Sequence, residues 1–288
     1  MKNLGIHPYQ GRKAVLATKH GKEQAVAPPL MASIGLEVCT PPDLDTDLLG
    51  TFSGEIVRQG TAEEVAFRKA RLGMAATGLP LGLANEGSFG PHPQLGVVAG
   101  DHELLVFVDD ELGLEIREGL LTTETNFAHQ EASAADQLSD FLARVHFPSH
   151  GVIVRPNSGL EPGLVFKGIT VLPALDRAVD RCARASADGL AHVETDMRAN
   201  MNPTRHAIIG QLAGRLARRL ATRCAHCGSP GWGVVGVVRG LPCEWCGAET
   251  DWVRQEIFGC PRCQVREYRP RSDGRDRADP GNCPECNP

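Results

Sequence analysis

The chain has 288 residues, 42% hydrophobic and 23% charged, with a net charge of −5 at neutral pH. That composition suits a soluble globular protein, and the length suits one large domain with a smaller one beside it. No apolar run approaches the roughly 18 residues of a membrane span. The acid excess argues against a surface built throughout for nucleic acid, and an aromatic share of 5% argues against a stacking platform for single strands.

Residues 1–12 read as an unanchored arm. Lys13 to Thr18 reads as a short buried strand. Lys22 to about Ser33 reads as a helix that Pro28-Pro29 must interrupt, because proline lacks the N–H and crowds the preceding turn. Leu36–Cys39 is a second short strand, and Asp43 to Gly60 is polar and turn-rich. Thr61-Ala-Glu-Glu64 is a capping box opening a helix with Ala66, Phe67, Ala70 and Met74 at helical spacing; Gly78 ends it. Leu81–Ala84 is strand-like, Asn85 to His92 a loop, and Glu103–Val108 a strand that pairs with residues 114–123. Helices are expected over Ser133–Val145, Leu175–Ala187 and Arg205–Arg223, with a strand over Gly151–Arg155. Strands alternating with helices predict an α/β fold with a mixed sheet flanked by helices over residues 13–222.

From Cys224 onward the chain carries eight of its ten cysteines, as four Cys-x-x-Cys pairs: Cys224/Cys227, Cys243/Cys246, Cys260/Cys263 and Cys283/Cys286. Two thiolates three positions apart grip one Zn²⁺ from a tight turn, and two such turns complete a closed, structural S₄ site. The gaps of 15 and 19 residues inside the first and second halves of this run fall in the zinc-ribbon window, and the middle gap of 13 does not. Spacing therefore favours sequential sites, Cys224/Cys227/Cys243/Cys246 and Cys260/Cys263/Cys283/Cys286, in a double zinc ribbon over residues 223–288. The rest of the chain holds only Cys39 and Cys182 and shows no export signal, so a disulfide framework is disfavoured and a cytoplasmic setting expected.

Residues 14–22 (Ala-Val-Leu-Ala-Thr-Lys-His-Gly-Lys), 60–71 (Gly-Thr-Ala-Glu-Glu-Val-Ala-Phe-Arg-Lys-Ala-Arg) and 75–90 (Ala-Ala-Thr-Gly-Leu-Pro-Leu-Gly-Leu-Ala-Asn-Glu-Gly-Ser-Phe-Gly) follow one another in a telling order. In order and spacing they resemble the house-cleaning nucleoside-triphosphate pyrophosphatases of the inosine/xanthosine triphosphatase-like fold. The resemblance implies that Thr18 and Lys22 contact phosphates, that Glu63 or Glu64 helps hold Mg²⁺, that Lys69 reaches a phosphate oxygen and that Glu86 is a metal ligand or water activator. Glu64 and Glu86 are then the catalytic carboxylates. The chain departs from that pattern at His20, Val65 and Asn85. It also lacks the closing Ser-His-Arg signature, whose nearest analogue is Pro203-Thr204-Arg205-His206. As a whole the chain also resembles an uncharacterised bacterial family with a C-terminal cysteine region.

Glu194 to Arg205 offers two readings. Arg198 and Arg205 could clamp a phosphate bidentately, or the stretch could cap a helix with Asn202 or Thr204 and Pro203 at its start. Arg215, Arg218, Arg219 and Arg223, and the group from Arg262 to Arg277, read either as solvated faces or as a nucleic-acid contact diluted by Asp273, Asp276 and Asp279. There is no P-loop, no dinucleotide fingerprint and no Gly-x-Ser-x-Gly elbow. The expectation is a cleft of Thr18, Lys22, Glu64, Lys69, Glu86, Arg198 and Arg205 that takes a nucleotide or other phosphorylated small molecule with Mg²⁺ and cleaves a phosphoanhydride. The competing expectation is a non-enzymatic zinc module that binds nucleic acid or a partner protein.

Overall fold

The computed structural model describes residues 7–41, 60–93, 95–159 and 163–287; the turn-rich stretch expected from Asp43 lies outside them as far as residue 59. Contacts divide the chain into two compact units. The first is Met1–Val108 with Arg117–Leu216, and the second is Asp109–Ile116 with Ala217–Pro288.

Two sheets lie mainly in the first unit, with Asp109 and residues 114–116 of one of them falling in the second. One is mixed, in the order β2-β1-β3-β4-β5, built from β1 (Lys13–Leu16), β2 (Glu37–Cys39), β3 (Leu81–Pro91), β4 (Ala99–Asp109) and β5 (Leu114–Thr122). β1 runs parallel to both β2 and β3. Its apolar Ala14, Val15 and Leu16 are fully buried, as a parallel strand covered on both faces requires. The parallel connections are made by α1 (Glu23–Ile34) and α2 (Ala62–Thr77). α2 starts at the expected capping box, with the Thr61 hydroxyl and the Glu64 carboxylate each satisfying a backbone N–H, and ends at left-handed Gly78. It lies so close to β3 that a Cβ at Gly82 would come within 2.6 Å of the Met74 side chain and 3.0 Å of the Ala70 carbonyl.

The other sheet is antiparallel, in the order β6-β9-β7-β8: β6 (His129–Ala132), β7 (Val152–Pro156), β8 (Phe166–Ile169) and β9 (Ala191–Thr195). Its Val152, Val154 and Val193 pack with α3 (Ser139–Arg144) and α4 (Leu172–Ala185) through Phe141, Leu175, Val179 and Cys182. α5 (Pro203–Ala221) buries Ile208, Ile209, Leu212, Leu216 and Leu220, the stripe its spacing predicts.

Four expectations fail. The described part of the arm, residues 7–12, is anchored: Tyr9 is fully buried, edge-on to Phe107 with ring centroids 5.1 Å apart. α1 continues through Pro28 and Pro29. The prolines deprive the carbonyls four residues earlier of donors, and one of these, on Ala25, faces Gly210 of α5 instead. β3 does not end at Ala84 but runs to Pro91 through its Asn, Gly and Ser residues. β4 begins at Ala99, four residues before Glu103. Strands β6, β8 and β9 carry weak signals: His129 and Glu131 are polar and exposed, and Gly168 interrupts β8.

The second unit is a three-stranded antiparallel ribbon, β10 (Gly233–Arg239), β11 (Val253–Gly259) and β12 (Arg266–Pro270), in that spatial order. Among the described residues no helix is long and apolar enough to cross a membrane.

Candidate functional site

The eight cysteines gather into two groups of four, but not those the gap lengths favour. Cys224, Cys227, Cys260 and Cys263 form one group and Cys243, Cys246, Cys283 and Cys286 the other, each with its four Sγ atoms within 4.8 Å of one another. Strand register dictates this interleaving. The first pair precedes β10 and the third follows β11, and pairing of Gly233 with Gly259 brings those ends together. The second pair follows β10, at the other end of the ribbon. β12 returns the chain to that end, where Ala278 bridges to Cys243 just ahead of the fourth pair.

All four pairs share one turn. The N–H of Gly228, Gly247, Gln264 and Asn287 donates to the carbonyl of the leading cysteine at 2.9, 3.0, 3.2 and 2.9 Å. The first three of these residues have φ of +73°, +75° and +61°, a left-handed position that glycine takes freely and Gln264 takes under constraint.

The geometry fits zinc. Cys224–Cys263 and Cys243–Cys286 Sγ separations are 3.8 Å, and Cys227–Cys260 and Cys246–Cys283 are 3.6 Å. Four sulfurs at a Zn–S distance of about 2.3 Å stand ~3.8 Å apart in a tetrahedron. Ionisation is unequal within a group. Burial opposes it at Cys224, yet the N–H groups of Cys227 and His226 hold that thiol down at about 7. Burial pushes Cys260 up to about 12. A dication is what would let all four ionise together, and four thiolates leave it no open position for chemistry.

The first unit gathers a different constellation, around β3 and β4. Lys22, Lys69, Glu86 and Arg205, four of the residues singled out in the sequence, are all buried. Lys69 Nζ lies 2.5 Å from Glu86 Oε1. Arg205, at 1% exposure, reaches from α5 to donate from Nε to Glu103 Oε1 at 2.6 Å, donates also to the Met197 carbonyl, and lies 5.0 Å over the Phe89 ring. Asn85 Nδ2 donates to the second Glu103 oxygen at 2.8 Å, while Lys22 Nζ donates to the Asn85 carbonyl at 2.9 Å. Gly87 is required here, since a Cβ would fall 2.5 Å from the Arg205 guanidinium and 2.6 Å from Glu103. Thr18 is buried in the β1–α1 loop that ends at Lys22, accepting a bond from the His20 N–H.

A further member is Asp101, fully buried two residues before Glu103; among the described residues no donor reaches either of its oxygens. Burial first, and then the Glu103 carboxylate, push its pKa up to about 7. Lys22 moves the opposite way, down to about 7, because burial and then the charge of Arg205 disfavour its ammonium. The alternation Asp101-x-Glu103, two strand positions apart on one face, is the sequence signal for the pair, and Asp101 lies in the part of β4 that precedes the strand expected from Glu103.

Two candidates lie elsewhere. Glu64 is exposed, and its carboxylate is engaged by the Thr61 N–H at 2.8 Å in the capping box; burying it in a cleft would undo the helix start. Arg198 forks onto Asp196, with Nε–Oδ1 at 2.9 Å and Nη2–Oδ2 at 2.6 Å, and Asp196 also accepts from the Gly168 N–H. Its fork is thus filled by a carboxylate of its own chain. The capping reading holds for Asn202, whose Oδ1 accepts from the Arg205 N–H at 3.0 Å ahead of Pro203.

Fold and sites together define an α/β unit with a buried ionic cluster, joined to a ribbon with a Cys₄ group at each end. Residues 69–288 match the family described as Domain of unknown function (DUF6671), and the chain belongs to that family. No curated protein and no solved structure matches the chain, so the resemblance to inosine/xanthosine triphosphatases gains no support from a structural neighbour. The family match includes Lys69, Glu86, Asp101, Glu103, Arg205 and all eight clustered cysteines, and begins after Thr18, Lys22 and Glu64.

Proposed function

We propose that the first unit binds a phosphate-bearing small molecule, in the simplest case a nucleotide, at the Lys22/Lys69/Arg205/Glu86/Asp101 cluster, while the two zinc ions of the second unit are structural. The observation that carries this reading is Asp101, a fully buried carboxylate with no donor at either oxygen among the described residues, beside the Glu103 carboxylate that Arg205 holds; the same cluster contains Lys22, whose charged form burial disfavours. Burying an uncompensated charge costs several kcal/mol, and folds retain such groups where a ligand supplies the partner. Phosphate oxygens would compensate Lys22 and Thr18. A divalent cation would compensate Asp101 with Glu86, since Mg²⁺ commonly uses one or two carboxylates, its waters and substrate oxygens.

When bound, such an ion would polarise a phosphoryl oxygen. The chain's own cations would stabilise charge developing on a leaving phosphate, and Asp101, titrating near 7, is suited to take a proton from an attacking water. Phosphoanhydride hydrolysis is the reaction that this set of groups best serves. Thiolate zinc sites suit the reducing cytoplasm. Incubating the purified chain with a nucleotide panel and Mg²⁺ tests the reading. A thermal shift with at least one nucleotide, and pyrophosphate or phosphate release that Asp101→Asn abolishes, are expected. No shift with any nucleotide would reject it.

A further inference from the structure

The second unit carries a cleft that adjoins one Cys₄ group, sharing Cys224 with it. It is half open to solvent, has a volume of ≈ 350 Å³, and is lined by Arg223, Cys224, His226, Trp232, Arg266, Glu267 and Arg269. That volume is within the range of small-molecule pockets, and the lining pairs an indole with three guanidinium groups and one carboxylate. The Trp232 segment is fixed by backbone: its N–H donates to the Thr222 carbonyl at 3.1 Å, and the Gly231 carbonyl accepts from Arg219 Nε at 3.1 Å.

The basic residues are not equivalent. Arg269 is forked onto Glu267 at 2.9 and 2.8 Å and stacked on Phe258 at 4.3 Å. Arg271 is forked onto Asp273, and Arg271 and Arg275 both lie 5.7 Å from Trp252. Arg266 is exposed and holds no ion pair among the described residues. The chain's three tryptophans, Trp232, Trp245 and Trp252, all fall in this ribbon, and Trp245 is 78% exposed. The low average aromatic content therefore conceals a local concentration.

We propose that this cleft holds one nucleotide of a single-stranded nucleic acid, its base against Trp232 and its phosphate at Arg223 and Arg266. Base stacking on an aromatic ring beside a cationic track is how proteins hold single strands without reading sequence. Acids across the ribbon, Glu244, Glu256 and Asp273 among them, keep the basic character local, so the contact is short and salt-sensitive.

The test is fluorescence anisotropy of a labelled single strand of about 12 nucleotides with the zinc-loaded full chain at about 50 mM salt. Expected are saturable binding, quenched tryptophan emission, and affinity lowered about 10-fold or more by Arg266→Glu and by Trp232→Leu. Arg266→Glu should also flatten the salt slope by about 0.7 per lost phosphate contact. Zinc content and melting temperature report the fold of each variant, and Arg266→Gln, at the same exposed position, serves if charge reversal disturbs it. No binding at low salt, wild-type affinity in both Arg266 variants, or equal affinity for free AMP or for duplex would overturn the proposal.

Discussion

Interleaving of the two Cys₄ groups makes a prediction, for zinc bound there, that two double variants decide. Cys224→Ser/Cys260→Ser removes two ligands from one site of the observed arrangement and none from the other. Cys224→Ser/Cys243→Ser removes one ligand from each. Structural zinc binds with an apparent free energy of about 10–16 kcal/mol, or roughly 2.5–4 kcal/mol per thiolate if shared over four ligands. Losing two ligands from one site then weakens it by about 5–8 kcal/mol, on the order of 10⁴-fold or more. Against a competing chelator, elemental analysis should find one tightly held zinc per chain in Cys224→Ser/Cys260→Ser. In Cys224→Ser/Cys243→Ser neither site should keep wild-type affinity. The opposite pattern, no tight zinc in the first variant and one in the second, would refute the register argument and restore sequential pairing.

Other expectations concern the first unit. Arg205→Leu leaves Glu103 buried beside Asp101 without its guanidinium partner, and should cost about 3–5 kcal/mol in urea unfolding. Arg205→Leu/Glu103→Leu should recover most of that, and a single-variant loss below ~1 kcal/mol would contradict the ion-pair geometry. For Asp101, whose folded pKa is raised to about 7 from 3.8, the native state binds the extra proton. Its contribution to stability is therefore full below about 3.8 and is lost as pH rises to about 7. Lys22, lowered from 10.5 to about 7, has the reverse sign, so its penalty is relieved as pH climbs from about 7 towards 10.5. Melting temperatures between pH 4 and pH 7 should show the wild-type decline flattened in Asp101→Asn; parallel curves would refute the assignment. Glu64→Ala should lower the melting temperature slightly as a lost cap partner and leave ligand binding unchanged, and a loss of binding would return Glu64 to the site.

What the sequence disclosed follows from what is local. The capping box at Thr61 and Glu64, the stop at Gly78 and the apolar stripe of α5 are properties of neighbouring residues, and all appear as expected. Lys22, Lys69 and Glu86 are singled out by the resemblance to the triphosphatase pattern and Arg205 by the polar segment ahead of α5, and the structure gathers all four around β3 and β4. The partners that gather them were hidden. Glu103 and Asp101 look like the solvent face of a strand until Arg205, a hundred residues later, is known to reach them. Gly87 reads as a loop breaker but is a strand residue whose missing Cβ makes room for that guanidinium. Gap lengths between cysteine pairs likewise carry no information on register, and it is the antiparallel pairing of β10 with β11 that chooses the partners.

The proposed site at the buried cluster is one that accepts phosphate. Calorimetric titration of inorganic pyrophosphate with Mg²⁺ into the zinc-loaded full chain tests it most directly. Saturable one-site binding is expected, weakened about 10-fold or more by Lys22→Met and by Asp101→Asn, and unchanged by Glu64→Ala. Absence of binding, or equal affinity in Lys22→Met and the wild type, would contradict it.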